Sequence, residues 1–357
     1  MIINMPDYVI EKEYVIIMKE MKWFIKMIIS GILSICSLSL FNLLYSFSGI
    51  HYDNPSGATD YVWASEQLKT TMTEGFSWLK MDSAGFNNIP SQHEKKVDIL
   101  LMGSSHMEAI NVPSTANTGY LLNQYLPEFN TYNIGMSGHT IYRCVNNVAN
   151  AYQTYAPSYY LIIETDTVAL DINEMTAVIT QSAPKIPSYD SGILYHLQKI
   201  PAIKWLYKQT IDWIDQEKSN ATNNNVTTIE TATIVSNEYK EILNDFLQNI
   251  TKTLDGTTCK PIIFYHPVTR LDSEGNLVTS TDPGYLEAFS SACQNNGIIF
   301  IDMTERFQTL YSDRHILPHG FSNTEVGTGH LNKYGHQEIA QYLSEVIIKE
   351  NNSNDIK

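Results

Sequence analysis

Charged and polar residues drop out of the chain in short, regularly spaced runs. Val97 to Met102, Phe129 to Ile134, Tyr159 to Glu164, Pro261 to Tyr265 and Ile298 to Ile301 are each of strand length and mostly Val, Ile, Leu, Phe and Tyr. They are continuously apolar and do not alternate, so they read as strands buried on both faces, the pattern of a parallel sheet. The segments between them follow the helical period. Ile141 to Tyr155, Glu238 to Leu254, Tyr285 to Asn295 and Lys333 to Lys349 are read as helices, and in the last of them Ile339, Leu343, Val346 and Ile347 make the buried face. Asn296-Gly297 is an ordinary helix stop. This alternation predicts an α/β fold, a three-layer sandwich around a central parallel five-stranded sheet, over residues 95–350.

The rhythm lapses over residues 171–235, which read as an insertion, either a lid or membrane-facing surface or plain packing on the sheet edge. Within it, Ile193 to Ile214 has helical spacing broken at Pro201, and Ser219 to Thr228 is polar and Asn-rich. Residues 351–357 form a polar tail.

Ahead of the sheet, Met27 to Ser48 carries no charged residue, which at 1.5 Å per residue is about 33 Å of helix, enough for one bilayer crossing. Lys19, Lys22 and Lys26 precede it, and no Lys or Arg follows until Lys69. The expectation is a short cytoplasmic segment (1–21), a single transmembrane anchor (22–48) and an extracytoplasmic remainder. A cleaved signal peptide and a buried core helix are the alternatives. The long preceding segment and the lack of an A-x-A site favour the anchor. Residues 49–94, punctuated by Pro55, Gly57, Gly75, Gly85 and Pro90, read as a linker that rests in part on the domain or the membrane through Trp63, Trp78 and Leu79.

Composition narrows the partners. A formal charge of −15 argues against nucleic acid, whose phosphates need clustered Lys and Arg. Cys36, Cys144, Cys259 and Cys293 match no zinc or redox spacing. Buried free thiols are the expectation, with a Cys259–Cys293 disulfide left open.

The first strand stops at Gly103-Ser104-Ser105-His106, and ligands in open α/β sheets bind beyond such strand ends. A serine hydroxyl needs a base, usually His, and a developing oxyanion needs backbone N–H donors. The second strand ends in Asn133-Ile134-Gly135-Met136-Ser137-Gly138, and Gly327-Thr328-Gly329-His330-Leu331-Asn332 precedes the last helix. His106 stands beside the serines and is either substrate-proximal or a helix cap; Asp166 and Glu164, at the end of the third strand, are expected near the site. His315, His319, His330 and His336 with Asp313 resemble a metal set in composition, but Pro318 interrupts the i, i+4 pair, so no metal and no cofactor is expected.

With these blocks in order, the chain resembles the SGNH (GDSL-like) hydrolase superfamily over about residues 95–348. The resemblance places the nucleophile on Ser105, with Ser104 where that family has Asp. It places the oxyanion hole on the Ser105 amide and Gly138, and the base on His330. Gly327 stands where the family's acid would be, and no Asn follows the third strand. Glu325 is then a tentative acid, Asp302 a weaker one, and a Ser–His dyad the remaining option. Gly-Ser-Ser-His behind a single-pass anchor is similar to membrane-anchored envelope O-acyltransferase and esterase-type members. The resemblance implies acyl-ester chemistry on a cell-envelope glycan or polymer, polysaccharide modification included, with a possible membrane partner that exports the acyl group. The alternative is a non-catalytic SGNH-like module that binds glycan or bridges membrane partners.

Overall fold

The computed structural model describes residues 7–45, 51–54, 56–66, 68–71, 74–89, 95–181 and 233–354. Its centre is a five-stranded parallel sheet. In chain order the strands are β5 (Ile99–Met102), β6 (Thr131–Asn133), β7 (Tyr160–Thr165), β8 (Lys260–Tyr265) and β11 (Ile299–Asp302). Across the sheet they run β11-β8-β7-β5-β6, parallel at every pairing. Alternate residues of each strand feed opposite faces. Leu100, Met102, Leu161, Ile163 and Ile263 pack with α4 (Ile141–Tyr155), α5 (Ile172–Ile179), α6 (Asn237–Leu254) and α7 (Pro283–Asn295). Ile99, Leu101, Ile162 and Ile262 pack with α3 (Thr118–Tyr125), α8 (Thr304–Arg314) and α9 (Lys333–Asn354). The strands are apolar throughout because helices cover both faces, and the fold is the α/β sandwich the pattern predicts.

Residues 49–94 correct the expected linker. They form two antiparallel pairs, β1 (His51–Asp53) with β2 (Tyr61–Trp63) and β3 (Leu68–Thr71) with β4 (Ser77–Lys80). Tyr61, Trp63, Leu79, Met81 and Phe86 are buried in the same core as Leu100. Polar side chains then weld the segment to the sheet. Buried Asp82 accepts from Ala84 N and Phe86 N, both at 2.9 Å, from Asn88 Nδ2 at 3.0 Å and from the Tyr132 hydroxyl at 2.8 Å. Asn88 in turn pairs both ways with the Asn133 backbone, at 2.8 and 3.0 Å. Gly57, Gly75 and Gly85, all at positive φ, shape turns within a packed layer and do not mark an exposed tether.

Four more elements escape the periodicity: α3, α8, the hairpin of β9 (Thr269–Leu271) with β10 (Leu277–Thr279), and α5, which opens the segment expected as an insertion but buries Met175 and Val178 in the core. The last helix continues past residue 350 to Asn354, so most of the expected polar tail is helical, and Asn351 accepts from the Tyr160 hydroxyl at 2.8 Å. All four cysteines are unpaired, with Cys144, Cys259 and Cys293 buried. The helix expected over 193–214 and the polar loop over 219–228 lie outside the described residues. At the N-terminus, α1 (Asp7–Tyr45) contains one stretch, Met18–Leu40, long and apolar enough to cross a membrane, with mean hydropathy 1.8 and none of it buried in the protein.

Candidate active site

The C-terminal end of β5 turns at Gly103 into a four-residue helix, α2 (Ser105–Glu108). Its N-cap is Ser104, whose hydroxyl accepts from His106 N at 3.2 Å. The capping duty that a serine here often serves therefore falls on Ser104, and the Ser105 hydroxyl is left for other work. It lies 2.8 Å from His330 Nε2. His330 Nδ1 is bonded to the carboxylate of Glu74, whose other oxygen accepts from His330 N at 2.5 Å. Carboxylate, imidazole and hydroxyl thus form one line, the carboxylate fixing which ring nitrogen carries the proton and which faces the serine.

Glu74 replaces Glu325 as the acid on His330. Glu325 is exposed, and its backbone carbonyl receives Thr328 N at 3.4 Å. The chain between them reverses through Gly327 and Gly329, both at positive φ, which carries Glu325 away and opens His330 to the β3–β4 connection. Gly329, at φ +88°, has the Glu74 carboxylate packed where a side chain would stand, so only glycine permits this approach. Asp302 is not available either, since its Oδ1 caps α8 by accepting from Thr304 N at 2.9 Å and Thr304 Oγ1 at 2.6 Å.

Two backbone amides in these turns, Ser105 N and Gly138 N, have no acceptor among the described residues. The second is aimed by its neighbours. The Ser137 carbonyl accepts from the Tyr61 hydroxyl, while Ser137 N and Oγ both donate to Glu108. With no cis peptide among the described residues, the Gly138 N–H points opposite to that held carbonyl. Gly138 sits at φ +80°, a conformation glycine adopts without strain. Glu108 is itself buried and also accepts from Trp63 Nε1. The chain between β6 and α4 is therefore set by residues 61, 63 and 108.

His106 and Asp166 both lie near this line. The His106 ring is tilted against His330 with centroids 5.1 Å apart, and its Nδ1 receives Leu331 N at 3.2 Å. Burial, and then the neighbouring histidines, hold its pKa well below the ordinary value, so it is neutral at pH 7. Exposed Asp166 is within electrostatic reach of His266 and His330; partial loss of water and then the Glu164 charge raise its pKa. Buried Glu164 accepts from Ser104 N at 2.6 Å and pairs with His266 Nε2 at 2.8 Å, holding the turn that presents Ser105.

No protein-family model matches the chain, and neither does any curated protein. Solved structures do resemble it. An acetyl xylan esterase, AlAXEase, aligns at 12% identity over 70% of this chain and 98% of its own, with a TM-score of 0.40. A psychrotrophic esterase, EstA from Pseudoalteromonas sp., aligns at 13% identity over 72% of this chain and 100% of its own, with a TM-score of 0.37. A member of the lipolytic protein G-D-S-L family from Veillonella parvula aligns at 14% identity over 70% and 96%, with a TM-score of 0.36. Likeness this distant leaves the chemistry to be argued from the residues themselves.

The residue that sequence reasoning missed is Glu74. It is a single acidic residue in a polar turn, about 250 positions from the histidine it holds, and nothing in its local pattern sets it apart. The one usable signal was that Trp63 and Leu79, both buried, are too apolar for a free tether; Trp78, grouped with them in the sequence, is exposed.

Proposed function

We propose that this chain is a membrane-anchored, extracytoplasmic serine acyl-ester enzyme that transfers or hydrolyses an O-acyl group on a cell-envelope glycan or polymer. The observation that carries the reading is the Glu74–His330–Ser105 line, with the Ser105 hydroxyl 2.8 Å from His330 Nε2. Ser105 Oγ attacks the acyl carbonyl while His330 Nε2 takes its proton, and Glu74 holds the resulting imidazolium. The carbonyl oxygen becomes an oxyanion that the Ser105 and Gly138 amides receive. His330 then returns the proton to the leaving alcohol, which departs and leaves an acyl-serine. A second hydroxyl, from a glycan in transfer or from water in hydrolysis, gives its proton to His330, attacks the acyl carbon and frees Ser105.

The N-terminal helix supports the location. Lys19, Lys22 and Lys26 precede its uncharged run, which starts at Met27, and the folded domain begins at His51, close behind Tyr45. A connection that short reaches roughly 20 Å at most, which keeps the domain at the membrane, where a membrane partner would deliver an exported acyl group. The test is the full chain in detergent with an activated acetyl ester and a fluorophosphonate probe. Wild type turns over the ester and is labelled at Ser105, and Ser105→Ala loses both. If Ser105→Ala keeps esterolysis, acyl transfer and labelling, the mechanism is wrong, and saturable glycan binding insensitive to that change would leave a non-catalytic module.

A further inference from the structure

Beneath the Ser105–His330 pair lies a second group of imidazoles that the acyl chemistry does not use. His106, His266 and His319 each place one ring nitrogen within 4.8 Å of the other two. They come from three separate segments: α2, the residue after β8, and the chain between α8 and His330. Ring centroids are 4.6 Å apart for His106–His266, 5.7 Å for His266–His319 and 5.9 Å for His106–His319.

The hydrogen bonds fix which nitrogens are bare. His266 Nε2 is 2.8 Å from Glu164, a carboxylate that only accepts, so Nε2 carries the hydrogen and Nδ1 is a lone pair. His319 Nδ1 is 2.9 Å from Thr269 Oγ1, whose one hydrogen goes to the Gly327 carbonyl at 3.0 Å. His319 Nδ1 is therefore the donor and its Nε2 is the lone pair. Both residues are at least 98% buried, and neither His266 Nδ1 nor His319 Nε2 has a partner. Two buried, unpaired imidazole lone pairs on facing rings are costly unless something electron-poor sits between them.

From this cluster we infer that His106, His266 and His319 bind one divalent transition-metal ion of the zinc class. Imidazole suits that class. The two buried ligands already have the outer partners that metal-bound histidines use, a carboxylate on His266 and a hydroxyl–carbonyl relay on His319. Three nitrogens on a tetrahedral ion at about 2.0–2.1 Å lie roughly 3.3 Å apart, so binding draws nitrogens now within 4.8 Å of one another closer by up to about 1.5 Å. His106 supplies most of that adjustment. It is the only partly exposed member, and its lone pair on Nδ1 accepts from Leu331 N at 3.2 Å, a bond that ligation of the ion gives up. The ion ties α2, the end of β8 and the segment before His330 into one unit beneath the candidate active site, and it is independent of the acyl-transfer reading.

The test is metal binding by the full chain in detergent, carried on a tag without histidine, stripped with chelator and then titrated with Zn²⁺ and Co²⁺. The expected result is one equivalent per chain, a rise in thermal midpoint of several degrees with Zn²⁺, and intense visible Co²⁺ bands of a four-coordinate nitrogen site. His319→Gln and His106→Ala lose the stoichiometric binding, while Ser105→Ala and His315→Ala keep it. Should His319→Gln fail to fold, His106→Ala at the partly exposed position and the wild-type Co²⁺ spectrum still decide. Less than a tenth of an equivalent bound by folded wild type, or binding unchanged in His106→Ala and His319→Gln, overturns the site.

Discussion

Glu74 and Glu325 are chemically identical side chains with opposite fates at His330, and the contrast gives a direct comparison. Glu74 holds Nδ1, and Glu325 is exposed with no bond to the ring. Glu74→Gln keeps the shape of the contact and removes the charge that steadies the imidazolium. The expected loss is about 10²- to 10⁴-fold in kcat with KM little changed, by analogy with other serine triads. Glu325→Gln leaves both constants at wild-type values. Steady-state kinetics on an activated ester separates the two, and equal effects would remove Glu74 from the mechanism. At this scale the serine, the histidine and the glycine loop were legible because each closes an apolar strand or opens a helix, where local pattern marks the position. Glu74 was not, because only long-range packing of residues 61–89 brings it to His330. The His106–His266–His319 group was hidden for the same reason: its members lie on three separate segments, and only His319 belongs to the histidine-rich stretch that drew attention in the sequence.

The elements of the sheet were legible to within about two residues at most ends, because strands covered on both faces are written as unbroken apolar runs. The β1–β4 layer was not, since its strands are only three or four residues long and in β3 and β4 polar Lys69 and Ser77 are buried while Leu68 and Trp78 are exposed, the reverse of the usual pattern. Its consequence is testable at Trp63. That side chain is buried, donates to Glu108 through Nε1 and has the Lys69 ammonium 3.1 Å above its ring. Trp63→Phe keeps most of the packing and takes one donor from a buried carboxylate, a cost of about 1–3 kcal/mol. Because Glu108 also holds Ser137, the same change lowers kcat more than KM by loosening the Gly138 amide. A stability loss in denaturant with kinetics unaltered would show that the layer supports the fold and not the oxyanion loop. A second element contact, α3 to α9, reports through pH. His336 Nδ1 pairs with Thr118 Oγ1 at 2.9 Å, and burial, then the neighbouring imidazoles of His266 and His330, bring its pKa to about 3. The folded value lies below the unfolded one, near 6.5, so the unfolded chain takes up the proton first as pH falls. The stabilisation is complete above about pH 6.5 and is lost between there and pH 3, at about 1.4 kcal/mol per pH unit. Buried His139, lowered to about 4 chiefly by burial, adds a parallel loss over the window down to that value. His336→Gln flattens the acid limb of a urea-midpoint profile between pH 6 and 4 by about that one-residue slope. An unchanged profile would mean that His336 is already protonated in the folded protein.

At the scale of the whole molecule, the acyl-ester reading and the proposed membrane anchor make a joint demand. An acidic domain of this kind meets envelope polymer only if it lies on the outer side. Lys19, Lys22 and Lys26 precede the uncharged run Met27–Ser48 and no Lys or Arg lies between that run and Lys69, so the proposal predicts an inward N-terminus. The thiols make the test clean. Cys144, Cys259 and Cys293 are buried, and Cys36 lies within the Met18–Leu40 stretch. An impermeant maleimide applied to intact cells therefore reads only a cysteine introduced for the purpose. Glu274→Cys, exposed in the turn between β9 and β10, is expected to label in intact cells, and Asn4→Cys only after the membrane is opened. Both proteins stay with the membrane fraction through a high-salt wash, because a span of this hydropathy is held by apolar burial and not by charge. Reversed labelling would put Ser105 on the cytoplasmic side. It would remove the envelope substrate while leaving the Glu74–His330–Ser105 geometry intact, so the location and the chemistry can fail separately.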